Sequence, residues 1–228
     1  MPRTPAQPNQ SLMHGLAVLQ ALLARGGAVG SRELARELEM EHTRVNRLLG
    51  TLGHLGVVRR TAEGKYGPGA GIHVLAAQAL RGSGLLAAAM PHLAALRDRQ
   101  TTVALGVLWR AQVCYLLHAR PGRSLEESIG AHDLIPAERS SLGLALQAWG
   151  EERGPRGTDR SALRAAGYAR LDFPNGEVSL AVPIGSPAVA ALGLSRQSPD
   201  VPALVARLQA SAEAIDADLR KHDLTAKG

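Results

Sequence analysis

Four side chains within one short stretch, Thr43, Arg44, Asn46 and Arg47, have the chemistry to engage a polar, anionic surface. The same stretch carries Val45, Leu48, Leu49 and Leu52. At about 100° per residue these form one apolar stripe of a helix expected from His42 to Leu55. Thr43, Arg44, Asn46, Arg47, Gly50 and Thr51 then fall on the opposite half. Arg and Asn carry forked groups that match guanine and adenine edges in a major groove, and Thr suits a phosphate or a thymine methyl. A charged helix face is also the ordinary solvated surface of a protein, so context must decide.

The neighbouring elements supply that context. Leu12, Leu16, Leu19 and Leu23 recur at spacings of four, three and four, which predicts a helix with Ser11 as its N-cap and Gly26-Gly27 as its end. A second helix is expected from Ser31, its predicted cap, to about Met40, with Glu33 in the first turn and Leu34, Ala35 and Leu38 inward. Gly56 closes the third helix. Val57 to Arg60 reads as a strand, Ala62-Glu63-Gly64 as a turn and Lys65-Tyr66 as the returning strand. Helix, helix, polar-faced helix and basic hairpin is the order of a winged helix-turn-helix, whose last helix enters the major groove. Arg59, Arg60 and Lys65 become candidate phosphate contacts, or edge charges that discourage strand pairing. Ser31, Arg32 and His42 join the candidate DNA-binding surface. Tyr66 is expected to pack the wing against the helices, and Glu41 to favour the helix N-terminus.

Charge is distributed to match. Residues 1–81 hold ten Lys/Arg against five Asp/Glu, whereas residues 82–228 hold sixteen against fifteen, so the excess of +6 is almost wholly N-terminal. Phosphate neutralisation supplies most non-specific nucleic-acid affinity, and an aromatic content of 3% argues against a base-stacking platform. Double-stranded DNA is the expected partner. The single cysteine, Cys114, cannot close an intramolecular disulfide, and the N-terminal segment lacks the apolar core of a signal peptide, so a cytoplasmic protein is expected. Pro183, Gly185 and Pro187 interrupt the longest uncharged stretch, which reads as two strands rather than a membrane span.

Residues 1–10 are expected to be a disordered arm, 11–68 the winged domain, 69–83 a linker helix and 84–228 a second domain. In that domain a helix is expected over 85–99 with a kink or restart at Pro91, then strands over 102–108, 112–119 and 124–129. Helices over 140–149 and 161–166, strands over 177–184 and 188–195, and a long final helix capped by Ser198 complete an α+β fold.

The strings SLMHGLAVLQALL, SRELARELEM, EHTRVNRLLGTLGHLGVVRR and GKYGPG resemble the N-terminal domain of the IclR family of bacterial transcriptional regulators. ALGVLWRAQVCYLLHA, IPAERSSLGLAL, AAGYA and VSLAVPIGSPAVAALGLS resemble successive segments of that family's GAF-like effector domain. The resemblance implies a homo-oligomer, dimer or tetramer, that binds a palindromic operator and answers to a small organic effector, here an organic acid. It aligns Thr43, Arg44, Asn46 and Arg47 with the recognition helix. Glu138, Arg139, Ser140 and Ser141 align with the segment that opens the helix over the ligand, and Ser179 and Ser195 with strand positions of the pocket. Glu138 stands where many relatives have His, Leu144 where Lys is common and Ser179 where Cys is frequent. The stretch between Trp149 and Ala165 is also shorter than the family's insert. That departure leaves open a C-terminal domain that only oligomerises, with 138–141 a capping cluster.

Catalysis finds no support. Gly69-Ala70-Gly71 lacks the third glycine of a phosphate loop, no Gly-Lys-Ser/Thr or nucleophile elbow occurs, and the eight histidines form no metal-binding pair. No cofactor or metal is expected, and a small-molecule sensor or enzyme that does not bind DNA is the remaining alternative.

Overall fold

The computed structural model describes residues 7–130, 134–151, 160–197 and 199–225, which form two units dividing between Gly82 and Ser83. In the first unit, α1 (Gln10–Ala24), α2 (Ser31–Glu37) and α3 (His42–His54) are followed by a hairpin of β1 (Val58–Arg60) and β2 (Tyr66–Pro68), then α4 (Ala70–Ser83). One apolar cluster joins the first three helices and the hairpin: Val18, Ala21 and Leu22 from α1, Leu34 and Ala35 from α2, Val45 and Leu49 from α3, with Val29 and Val58. Fully burying a leucine such as Leu49 stabilises by about 1.5–3 kcal/mol, and this is what orients α3. Val29 and Tyr66 exchange both backbone hydrogen bonds at 2.8 Å and pin the hairpin to the segment before α2.

Several local expectations are corrected. Asn9 rather than Ser11 caps α1, its Oδ1 accepting from the Leu12 amide at 3.0 Å, so the last residues of the expected arm already serve a helix. Residues 1–6 of that arm lie outside the described residues. Gly30 occupies the N-cap of α2, and Ser31 is the first helical residue with its hydroxyl turned elsewhere. The helix stops at Glu37 because Glu39 adopts a φ of 52°, which no helix continues through. Of the α1 leucines, Leu12 is 62% exposed and Leu16 46%, Leu19 packs half-buried against the core, and the interleaved Val18, Ala21 and Leu22 form it.

The second unit contains α5 (Leu85–Leu96), β3 (Thr102–Trp109), β4 (Gln112–Ala119), β5 (Ile135–Pro136), α6 (Ser141–Trp149), α7 (Arg160–Ala166), β6 (Ala169–Asp172), β7 (Glu177–Ile184), β8 (Ala190–Gln197) and α8 (Val201–Thr225). The strands form one antiparallel sheet in the order β5-β4-β3-β8-β7-β6. On one face, Leu105, Leu180, Val182, Leu192 and Leu194 pack with Leu93 of α5 and Leu208 and Ile215 of α8. On the other, Ala104, Tyr115, Ala181 and Ala191 receive Leu142, Ala145 and Leu146 of α6. Gly193 makes this seat possible, since a β-carbon there would lie 2.5 Å from the Leu142 side chain.

Helix α5 runs through Pro91 without a restart. Pro91 and Ala87, whose carbonyl loses its donor, are both exposed, so the missing bond leaves a carbonyl on the solvent side rather than in the core. The strand expected over 124–129 is a 3-10 turn, Glu126–Ser128, because Ser124 accepts from the Glu127 amide at 3.1 Å and Ser128 donates to the Ser124 carbonyl at 2.6 Å. Strands β5 and β6 were not anticipated; they are two and four residues long. Asp200 caps α8, accepting from the Ala203 amide at 3.3 Å, and Ser198 lies outside the described residues. No single described helix is long and apolar enough to cross a membrane.

Candidate nucleic-acid interface and effector site

Burial of Val45 and Leu49 turns Thr43, Arg44, Asn46 and Arg47 outward on α3, and all four are exposed. Thr51 shares their face, but its hydroxyl donates to the Arg47 carbonyl at 3.1 Å within the helix. At the start of α3, His42 joins two other candidates: its Nε2 lies 2.9 Å from the Ser31 hydroxyl and 3.2 Å from Asn46 Nδ2. Arg32 is exposed beside Ser31. Glu41 occupies the N-cap of α3 without a side-chain capping bond.

In the wing, Arg60 stands opposite Tyr66 and Arg59 opposite Gly67. The Arg60 guanidinium lies 5.9 Å from the centre of the half-buried Tyr66 ring, a cation–π contact that draws it back onto the hairpin. Arg59 and Lys65 are exposed. Between α1 and α3, Leu12, Leu16, Leu48, Leu52 and Leu55 line a groove of about 480 Å³ whose rim carries Arg44 and Arg47.

In the second unit the expected effector residues separate into two groups. Ser140 and Ser141 are buried, Ser179 and Ser195 half-buried, and Glu138 and Arg139 exposed. Ser140 caps α6 by accepting from the Gly143 amide at 3.3 Å, and its hydroxyl lies 2.7 Å from that of Tyr115. The Ser141 and Ser179 hydroxyls meet at 2.7 Å. Ser179 and Ser195 are directly paired across β7 and β8, hence on the same sheet face, and Ser195 donates to the Glu177 carboxylate. The N-terminus of α6 therefore gathers hydroxyls from Tyr115, Ser140, Ser141, Ser179 and Ser195, with one carboxylate at the edge. Burial pushes the Tyr115 phenol above its ordinary value, against a smaller opposing effect of its bond to Ser140.

Tyr115 and Glu177 were missed from sequence. The alternation of Val113 and Tyr115 on β4 could have placed Tyr115 on the α6 face; nothing local marks Glu177. A hollow of about 300 Å³ opens at the far end of α6, lined by Leu108, Leu146, Gly150, Glu151 and 187–189, and none of the six effector candidates borders it. Burial alone raises the Cys114 thiol, which suits a packed side chain. Among the described residues no group of three His, Cys, Asp or Glu could hold a metal ion.

These features define a two-part protein, a winged helix-turn-helix with an outward cationic third helix followed by an α+β unit with one antiparallel sheet. Residues 11–62 match the IclR helix-turn-helix domain. The chain is 29% identical over 170 residues to the acetate operon repressor of Salmonella typhimurium, a match spanning 72% of this chain and 62% of that relative. Among solved structures, an IclR homolog from Microbacterium hydrocarbonoxydans complexed with 4-hydroxybenzoate shares the fold with a TM-score of 0.68 at 24% identity, covering 93% of this chain and 100% of that one. An IclR-type regulator from Alicyclobacillus acidocaldarius gives a TM-score of 0.71 at 22% identity, with 92% and 99% covered. The chain is thus similar to IclR-type regulators, with the IclR helix-turn-helix domain matched over residues 11–62 and the fold shared along most of its length.

Proposed function

We propose that this protein is a sequence-specific regulator of transcription that inserts α3 into the major groove of an operator and lays its wing along the phosphate backbone. The carrying observation is the exposed row of Thr43, Arg44, Asn46 and Arg47 over the buried Val45 and Leu49. Arg44, Asn46 and Arg47 serve base edges; Thr43, Arg32, Arg59 and Lys65 serve phosphates. Such a regulator works in the cytoplasm as a homo-oligomer, dimer or tetramer, on a palindromic site, and the outward leucines of α1 support self-association. Selecting bound fragments from random duplex DNA tests the reading: an enriched palindrome with steeply salt-dependent affinity is expected, and no enrichment defeats it.

The hydroxyl-lined N-terminus of α6 suits a small organic effector bearing polar oxygens, since a helix N-terminus with convergent donors favours a carboxylate. Glu138 and Arg139 would flank its mouth. A second reading, oligomerisation without a ligand, is favoured by the way these hydroxyls pair with one another. Thermal shift against a panel of small organic acids separates the two, because a ligand that binds only the folded state raises the melting temperature.

A further inference from the structure

We infer that His42 is a positioning residue of the recognition helix, whose ring holds the Asn46 amide in the orientation it presents to DNA. This rests on α3 being the groove-reading helix. Asn46 Nδ2 can only donate, and it lies 3.2 Å from His42 Nε2. The Ser31 hydroxyl also lies within hydrogen-bond distance of that nitrogen, at 2.9 Å, and ties the ring to the first residue of α2.

The consequence follows from amide chemistry. Nδ2 has two hydrogens. With one engaged by His42, the other remains beside Oδ1, and together they form the donor–acceptor pair that matches adenine N7 and N6. Without the ring the amide is free to turn over, and the order of donor and acceptor along that edge is no longer fixed. Ser31 and His42, which sequence treats as DNA contacts, thus act through Asn46.

The test uses the full chain and the operator obtained by selection. Asn46→Ala first identifies the base pair at which preference is lost. At that pair, His42→Leu is expected to reduce discrimination about tenfold, near the value of one bidentate contact, while affinity for random DNA changes less than about twofold because phosphate contacts remain. His42→Gln, whose carbonyl oxygen can stand in for Nε2, is expected to retain the preference.

A second readout does not depend on His42→Leu folding. Ser31→Ala frees the ring from α2 and should lower the same preference, by less than His42→Leu, with little change in affinity for random DNA. Undiminished discrimination in a folded His42→Leu protein overturns the inference, as does a Ser31→Ala protein that keeps the full wild-type preference, or an Asn46→Ala variant with unaltered preference. Absence of any selected operator is a different failure: it removes the regulator reading itself and the positioning role with it.

Discussion

Gly143 on α6 and Ala137 in the preceding 3-10 turn are packed so closely that a β-carbon on Gly143 would lie 2.2 Å from the Ala137 carbonyl oxygen. The obstacle is backbone and cannot rotate away. Ala137 is itself fixed, its amide donating to the Ala111 carbonyl at 2.9 Å. Gly143→Ala should therefore cost about 1–3 kcal/mol through forced displacement, although alanine is the better helix former. For a domain of this size the melting temperature should fall by roughly 2–4 °C per kcal/mol. An unchanged melt would show that the turn moves aside freely.

The Tyr115–Ser140 pair allows a more detailed test. Tyr115→Phe removes one hydroxyl and leaves Ser140 free to keep capping α6, so a loss of about 1 kcal/mol is expected. Ser140→Ala removes both that bond and the cap, and should cost about 1 kcal/mol more. Urea titration of both single variants and the double variant should give a coupling of about 0.5–1.5 kcal/mol. If Ser140→Ala proves the milder substitution, the capping role is wrong.

How much of this was legible beforehand depended on the range of the interactions. Local patterns succeeded: the alternation of Val45 and Leu49 with Arg44, Asn46 and Arg47 marked the outward face of α3 because a helix repeats its own geometry. The limits of β4 and β7 followed from β-branched and aromatic runs between turn residues. Choices between neighbouring residues failed. Asn9 and Ser11 are both good caps, and the spacing of the α1 leucines does not say whether that stripe or the Val18–Leu22 side meets α2 and α3. Strand β5 owes its two residues to pairing with β4, and Glu177 reaches Ser195 only through the β7–β8 register. Neither fact exists within a single segment.

On the DNA side, the cationic residues should separate by role. Arg44→Ala should lower the preference for operator over random DNA by about 1–3 kcal/mol if it contacts a base edge. Lys65→Ala should weaken binding to all sequences alike and reduce the slope of affinity against salt by about 1. Arg60→Ala should change that slope less, because its guanidinium is held over Tyr66. Gel shifts across a salt series decide the matter; equal slopes for all three variants would remove the division of labour.

Asp98 should contribute a pH-dependent increment to stability. Its carboxyl is held below the ordinary range chiefly by the Thr101 hydroxyl, which donates at 2.7 Å, then by the Gln100 amide at 2.8 Å, with Arg196 adding attraction. A carboxyl whose folded value is depressed binds its proton more readily when unfolded. Its stabilisation is therefore fully present above the unfolded value, near 3.9, and is lost as pH falls through the folded value. Thr101→Val removes the largest cause. The stability difference between wild type and Thr101→Val should thus be widest near neutrality and narrow as the solution is acidified below about pH 4. A gap that stays constant across the acid range would assign the effect to packing of the buried Thr101 instead.

Exposed leucines on α1 pose the last question, whether they stabilise the chain itself or an assembly. Leu12 and Leu16 are 62% and 46% exposed, whereas Leu22 on the same helix is fully buried. Leu22→Ala should cost about 2–5 kcal/mol, because it empties a packed site. Leu12→Ser combined with Leu16→Ser removes little that is buried within one chain, so its intrinsic cost should stay within about 0.5 kcal/mol per site. If self-association covers this stripe, the double variant should sediment at lower mass at a concentration where wild type is associated, and its melting temperature should lose its dependence on protein concentration. Unaltered sedimentation would place the assembly surface elsewhere. A stability loss comparable to Leu22→Ala in a chain that is monomeric throughout would instead mean that the stripe packs within the chain.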